Sequence, residues 1–146
     1  MIINPHKNIS REVNDLDIEI IKKIAPAMID FCKNPKGNFK EILALTHCQV
    51  EEKEPLRFFV TNEDEIIINP EIIRHTKTTV KNEEGCVSFP NTKPVIVERW
   101  NKCEVIYQTI ENNKLSEFKK ENLSGQKAKM YQHEIQHFAG QNIYDK

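Results

Sequence analysis

Apolar residues Leu16, Ile20, Ile21, Ile24, Met28 and Phe31 recur at intervals of three and four, which places them on one face of a helix over residues 14–31. Asn14 or Asp15 suits its N-cap. Pro26 interrupts the pattern, and two arrangements satisfy it: a helix that starts near Ala25 with Pro26 in its first turn, or two short helices meeting there. A turn cluster at residues 34–38 closes the segment. Short β-rich runs follow at residues 56–61, 65–69, 76–80, 94–99 and 103–110. Asn112-Asn113 fits a tight hairpin turn into a last run at 115–118. Residues 125–139 then form the clearest helix, with Ser124 to cap its start and Gly140 to end it. The expected class is α+β: antiparallel β-sheets packed around the C-terminal helix. The 146 residues are the size of a single domain, 1–146, and contain no repeat or linker-like tract.

The terminal helix carries His133-Glu134-Ile135-Gln136-His137, an H-E-x-x-H pattern. Histidines at i and i+4 project from one face one turn apart, so both can hold one metal ion while the intervening glutamate reaches the water activated there. Such a pattern arises by chance in a chain like this roughly two times in a hundred, so context decides. Ala128, Tyr131, Ile135 and Phe138 make one apolar arc, and only Lys129, Gln132 and Gln136 share a polar one. A helix so committed is interior, and its two histidines face a cavity.

A third ligand is needed, and few residues follow His137. In the H-E-x-x-H-x-x-G-x-x-H class Gly140 is in register but Ile143 stands where the last histidine belongs. The ligand is therefore expected upstream, with Cys86 in Glu84-Gly85-Cys86-Val87-Ser88 as the leading candidate, although a lone cysteine is more often an apolar core residue.

Charge and composition narrow the function classes. Twenty-one basic and 22 acidic residues leave a net charge of −1, which offers no bulk attraction to nucleic acid or anionic lipid. No apolar run approaches the roughly 18 residues of a membrane span, and the N-terminus lacks a signal-peptide pattern, so a cytoplasmic location is expected. The four cysteines form no C-x-x-C pair and are read as thiols, with Cys32 and Cys103 in the core.

Glu84-Gly85-Cys86-Val87-Ser88 followed downstream by Gln132-His133-Glu134-Ile135-Gln136-His137 resembles the peptide deformylase family, whose paired motifs read E-G-C-x-S and Q-H-E-x-x-H. Residues 66–72 and Val97-Glu98-Arg99 extend the similarity over nearly the whole chain. The family's first motif, G-x-G-L-x-A-x-Q, is matched in residues 42–49 only at Leu45 and Gln49, with Ile42 and Ala44 in place of its glycines. An aspartate common in the family at the fourth position of H-E-x-x-H is Gln136 here, which loses a charge from an outer ion pair. The short segment after the motif resembles a compact variant of phage or divergent organellar type, a host cytoplasm being expected for the former.

The resemblance implies that Cys86, His133 and His137 hold one divalent metal ion, iron(II) being usual, while the ligand chemistry also suits zinc, nickel or cobalt. It further implies that Glu134 moves the proton and that Gln49 and the Val87 backbone N–H stabilise the oxyanion. Glu84 and Arg99 would steady the cysteine loop, and Ala44, Leu45 and Gly85 would belong to the substrate pocket or its support. His47 and Cys48 are read as wall residues, since a fourth protein ligand would block water. The implied substrates are N-formylmethionyl nascent peptides, met at the ribosome by a monomer and released as formate and a free N-terminus. Two other readings remain at this point: a metallopeptidase with a different scissile amide, and a non-catalytic or altered-specificity deformylase-like module, the latter motivated by the missing glycines.

Overall fold

The computed structural model describes residues 9–35, 42–86, 88–89 and 92–144. A five-stranded antiparallel sheet, in the order β1-β2-β3-β6-β9, carries a helix on each face. Its strands are β1 (Ala44–Thr46), β2 (Phe58–Thr61), β3 (Ile66–His75), β6 (Lys102–Gln108) and β9 (Lys119–Ser124). A separate hairpin pairs β4 (Thr79–Glu84) with β5 (Val95–Trp100), and a small one pairs β7 (Ile110–Glu111) with β8 (Lys114–Leu115). The helices are α1 (Ile18–Lys33) and α2 (Gly125–Phe138).

Both faces of the sheet are covered, which is why β2 reads as the unbroken run Phe58-Phe59-Val60 rather than as an alternation. Successive side chains point to opposite faces. Leu45, Phe58, Val60 and Ile68 pack with Ile21, Ala25, Met28 and Cys32 of α1. Ala44, Phe59, Ile67 and Val105 pack with Ala128, Tyr131 and Phe138 of α2. Cys103 also lies in that second core, and Cys32, Cys48, Cys86 and Cys103 are all free thiols.

Pro26 corrects the first helix. Neither a start near Ala25 nor two helices is observed: α1 runs unbroken from Ile18 to Lys33 through the proline. Pro26 is exposed, so the Lys22 carbonyl it leaves without an amide donor is on the solvent side, while the buried stripe Ile18, Ile21, Ala25, Met28 and Cys32 anchors the helix. Asn14 does cap, but it caps a 3₁₀ turn, Asp15–Asp17, that precedes α1; its Oδ1 accepts from the Leu16 N–H at 2.9 Å.

Strand boundaries shift for identifiable reasons. Strand β3 continues past Asn69-Pro70 because a register shift between Ile68 and Glu71 accommodates the missing N–H. Asn69 there has φ of 51° and clamps Val13, accepting its N–H at 2.8 Å and donating to its carbonyl at 3.0 Å. Asn112 and Asn113, at φ of 52° and 60°, make the expected tight turn, but it joins β7 to β8. The polar strand β9 was not expected: it is a sheet edge whose lysines face outward, and Leu123 is its buried residue.

Helix α2 begins as expected after Ser124, although no side-chain cap bond forms. Gly125 turns the chain off β9 at φ of +60°, and a Cβ there would meet nothing within 4 Å. Gly125→Ala is therefore expected to destabilise by about 1–2 kcal/mol through backbone strain alone, read as a lower chemical-denaturation midpoint. An unchanged midpoint would contradict this.

Candidate metal centre

Helix α2 meets the β4–β5 hairpin through its C-terminal half, and Gln132 fixes that contact. Its amide pairs with the backbone of Trp100 in both directions, accepting the N–H at 2.8 Å and donating to the carbonyl at 3.0 Å. The expected polar arc is thus corrected: Gln132 is buried, since a side-chain amide can complete a strand's unused backbone bonds. The same contact turns His133 and His137 toward the end of β4, where Gly85 and Cys86 follow Glu84.

The ligand atoms of Cys86, His133 and His137 all lie within 4.8 Å of one another. Cys86 Sγ is 3.5 Å from His137 Nε2. An ion with tetrahedral bonds of about 2.0–2.3 Å separates its ligands by about 3.5 Å, so this pair already has the required spacing. His133 donates from Nδ1 to Glu84 Oε1 at 2.8 Å; a carboxylate only accepts, so the proton sits on Nδ1 and leaves Nε2 free to ligate.

The electrostatics of the cluster favour a cation. Burial pushes His133 down, but hydrogen bonds with Cys86 and Glu84 outweigh it and raise the imidazole to about 10. A divalent ion bound by these donors would supply positive charge beside the same Glu84 carboxylate. Burial, aided by His133, lowers His137 to about 3 and keeps it in the neutral form that binds metal. Donor type, spacing and charge therefore all fit a divalent ion.

Glu134 is fully enclosed on the cavity side, and burial raises its carboxyl to about 7. Its Oε2 has no hydrogen-bond partner among the described residues. A carboxyl poised near neutrality can both take and return a proton.

Gln49, on the 3₁₀ turn His47–Gln49 after β1, has its carbonyl end tied down: Oε1 accepts from the Thr46 N–H at 2.9 Å and the Thr46 hydroxyl at 3.0 Å. Its amide end therefore points into the centre, 2.9 Å from Ser88 Oγ and 3.6 Å from Cys86 Sγ. Ser88 orients this amide, a role for which its place in Glu84-Gly85-Cys86-Val87-Ser88 was the available signal. Val87, expected as a second oxyanion donor, lies outside the described residues.

Below the ligands, Arg99 grips Glu84 with both arms, Nη2 to Oε1 at 2.6 Å and Nε to Oε2 at 2.9 Å. Burial works against the Glu84 carboxylate, yet Arg99, His133 and Asn82 together hold it down at about 2. Arg99 Nη1 also reaches Gln136 Oε1 at 3.2 Å, so the glutamine accepts a hydrogen bond where a carboxylate would make an ion pair.

A cavity of about 450 Å³ opens onto the cluster, and Ala44, Glu84, Gly85, Cys86, Gln49, His133 and Glu134 all line it. Leu45, expected in the pocket or its support, does not line the cavity: it is fully buried in the core against α1, because it alternates with Ala44 on β1. A Cβ on Gly85 would sit 4.0 Å from Pro94, an ordinary contact, so crowding does not require glycine there. His47 and Cys48 stay out of the ligand set: His47 Nδ1 accepts from the Leu56 N–H at 2.8 Å, and burial takes His47 down to about 4 and Cys48 up to about 11.

A model of polypeptide deformylase matches residues 4–146. The chain belongs to the polypeptide deformylase family. That family is metal-dependent and acts on formylated nascent peptides. Peptide deformylase from Thermotoga neapolitana is 40% identical over 93 residues, 62% of this chain and 54% of that relative, so the match spans about half the relative's length. The crystal structure of Thermotoga maritima peptide deformylase superposes with a TM-score of 0.83 at 31% identity, covering 100% of this chain and 95% of that one. A Plasmodium falciparum peptide deformylase in complex with an inhibitor superposes at 0.80 with 28% identity, covering 97% and 85%. The deformylase fold accounts for the mixed architecture, with antiparallel sheets and the motif-bearing C-terminal helix. No helix among the described residues is long and apolar enough to cross a membrane.

Proposed function

We propose that this chain removes the formyl group from N-terminal formylmethionine of newly made peptides, releasing formate. The observation that carries the reading is the convergence of the donor atoms of Cys86, His133 and His137 beside the buried Glu134 carboxyl, whose Oε2 has no hydrogen-bond partner among the described residues. Cys86 Sγ and the Nε2 atoms of both histidines are the ligands we assign, with iron(II) as the ion; zinc, nickel and cobalt suit the same donors. Bound there, the ion supplies a Lewis acid that polarises the formyl carbonyl and lowers the pKa of water.

The chain's own residues do the rest. Glu134 accepts the proton of the attacking water and delivers it to the departing amine nitrogen. Gln49 Nε2 donates to the oxygen on which charge develops, and because Thr46 already fixes its other end, little reorganisation accompanies the reaction. Ala44, Ile42, Leu43 and Met130 provide apolar wall for an unbranched side chain. Glu84 and Arg99 hold His133 in the ligating tautomer.

We assign the activity to one domain of 146 residues, monomeric and cytoplasmic, meeting its substrates as they leave the ribosome. Mass spectrometry of a mixed library of formylated and unformylated peptides tests the reaction type. Loss of formyl from formyl-Met peptides alone is the expected result; cleavage of internal amides would make the chain a peptidase instead.

A further inference from the structure

The cavity is not uniformly apolar. Helix α2 presents Gln126, Lys129, Met130 and His133 to it, and Lys129 is the one lysine or arginine lining it among the described residues. Lys129 is half-buried and makes no ion pair with any described residue. The lining carboxylates are otherwise engaged or distant: Glu84 is gripped by Arg99, and Glu134 is enclosed next to the ligands. Glu83, on strand β4 and exposed, makes no ion pair with Lys129.

Lys129 lies four positions before His133, about 6 Å along the helix axis. In an extended peptide the residue after a formylated methionine has its Cα about the same distance from the formyl carbon, at roughly 3.3–3.4 Å per residue. We propose that Lys129 is a specificity-determining residue that recognises a carboxylate side chain at this second position, so that formyl-Met-Asp and formyl-Met-Glu peptides are preferred. This rests on the deformylase reading of the cavity. The ammonium is a point charge on a flexible stem, suited to a carboxylate whose exact position varies between aspartate and glutamate.

The test uses the metal-loaded chain and peptides amidated at the C-terminus, so that the second side chain is the only variable charge. For formyl-Met-Asp-amide over formyl-Met-Ala-amide the expected kcat/KM ratio is roughly two- to fivefold, carried by KM and shrinking at high salt. Lys129→Met is expected to bring the ratio to one, Lys129→Arg to keep it, and Lys129→Glu to invert it. A wild-type ratio of one, a ratio unaltered in Lys129→Met, or a preference for formyl-Met-Lys-amide directed by Glu83 would overturn the proposal. Equilibrium binding of the unformylated Met-Asp-amide and Met-Ala-amide peptides reads the same preference without turnover. If the formylated peptides are not hydrolysed at all, the activity fails while the binding ratio still decides the role of Lys129.

Discussion

Glu134→Gln is expected to keep its metal and to lose about 10²–10⁴ in kcat, the usual contribution of a positioned general acid–base group. The glutamine is nearly isosteric in a site where Glu134 is buried and lies next in sequence to His133, so the ligands need not move. What it removes is the ability to take a proton and return it. Burial raises the Glu134 carboxyl to about 7, close to the pH at which the reaction must run, and no hydrogen bond to Oε2 opposes that shift. Steady-state kinetics paired with metal analysis on the same sample read the effect. A kcat within tenfold of the parent at full metal content would remove Glu134 from the proton path.

The second large effect concerns stability. Arg99→Met is expected to cost about 3–5 kcal/mol in urea unfolding, because it leaves the Glu84 carboxylate buried without its counter-ion. The acid limb of stability should change with it. In the parent chain Glu84 is depressed from its ordinary 4.5 to about 2, so the pair stabilises fully above about 4.5 and is lost as pH falls toward 2. In Arg99→Met the depression is relieved and that acid-side loss flattens. The double variant Glu84→Gln with Arg99→Met, which removes both members of the buried ion pair, should recover much of the stability. A single variant within 1 kcal/mol of the parent would mean that Gln136, Asn82 and His133 suffice to satisfy Glu84. Metal affinity is a second readout, since loss of a group that orients a ligand typically weakens binding about 10–100-fold.

The candidate metal cluster was legible in the sequence because most of its geometry is local. His133, Glu134 and His137 are fixed relative to one another by one turn of helix, and Cys86 lies two residues past the end of strand β4. What was not legible depends on contacts distant in the chain. Gln132 looks like a solvent residue until Trp100 presents its backbone, 32 residues away in sequence. Leu45 and Ala44 look equivalent until helices cover both faces of the sheet. Strand β9 has a polar sequence because an edge strand needs only one inward residue, and α1 tolerates Pro26 because the proline falls on the solvent face. Gln49 shows the intermediate case: its motif position marked it, but the aim of its amide follows from the two Thr46 contacts that hold the other end.

The most direct measurement is formate release from a short formyl-Met peptide by protein purified anaerobically, with metal content determined on the same sample. Turnover is expected to scale with bound metal, at no more than one ion per chain, and to disappear in Cys86→Ala together with the metal. A fully loaded chain that releases no formate would contradict this.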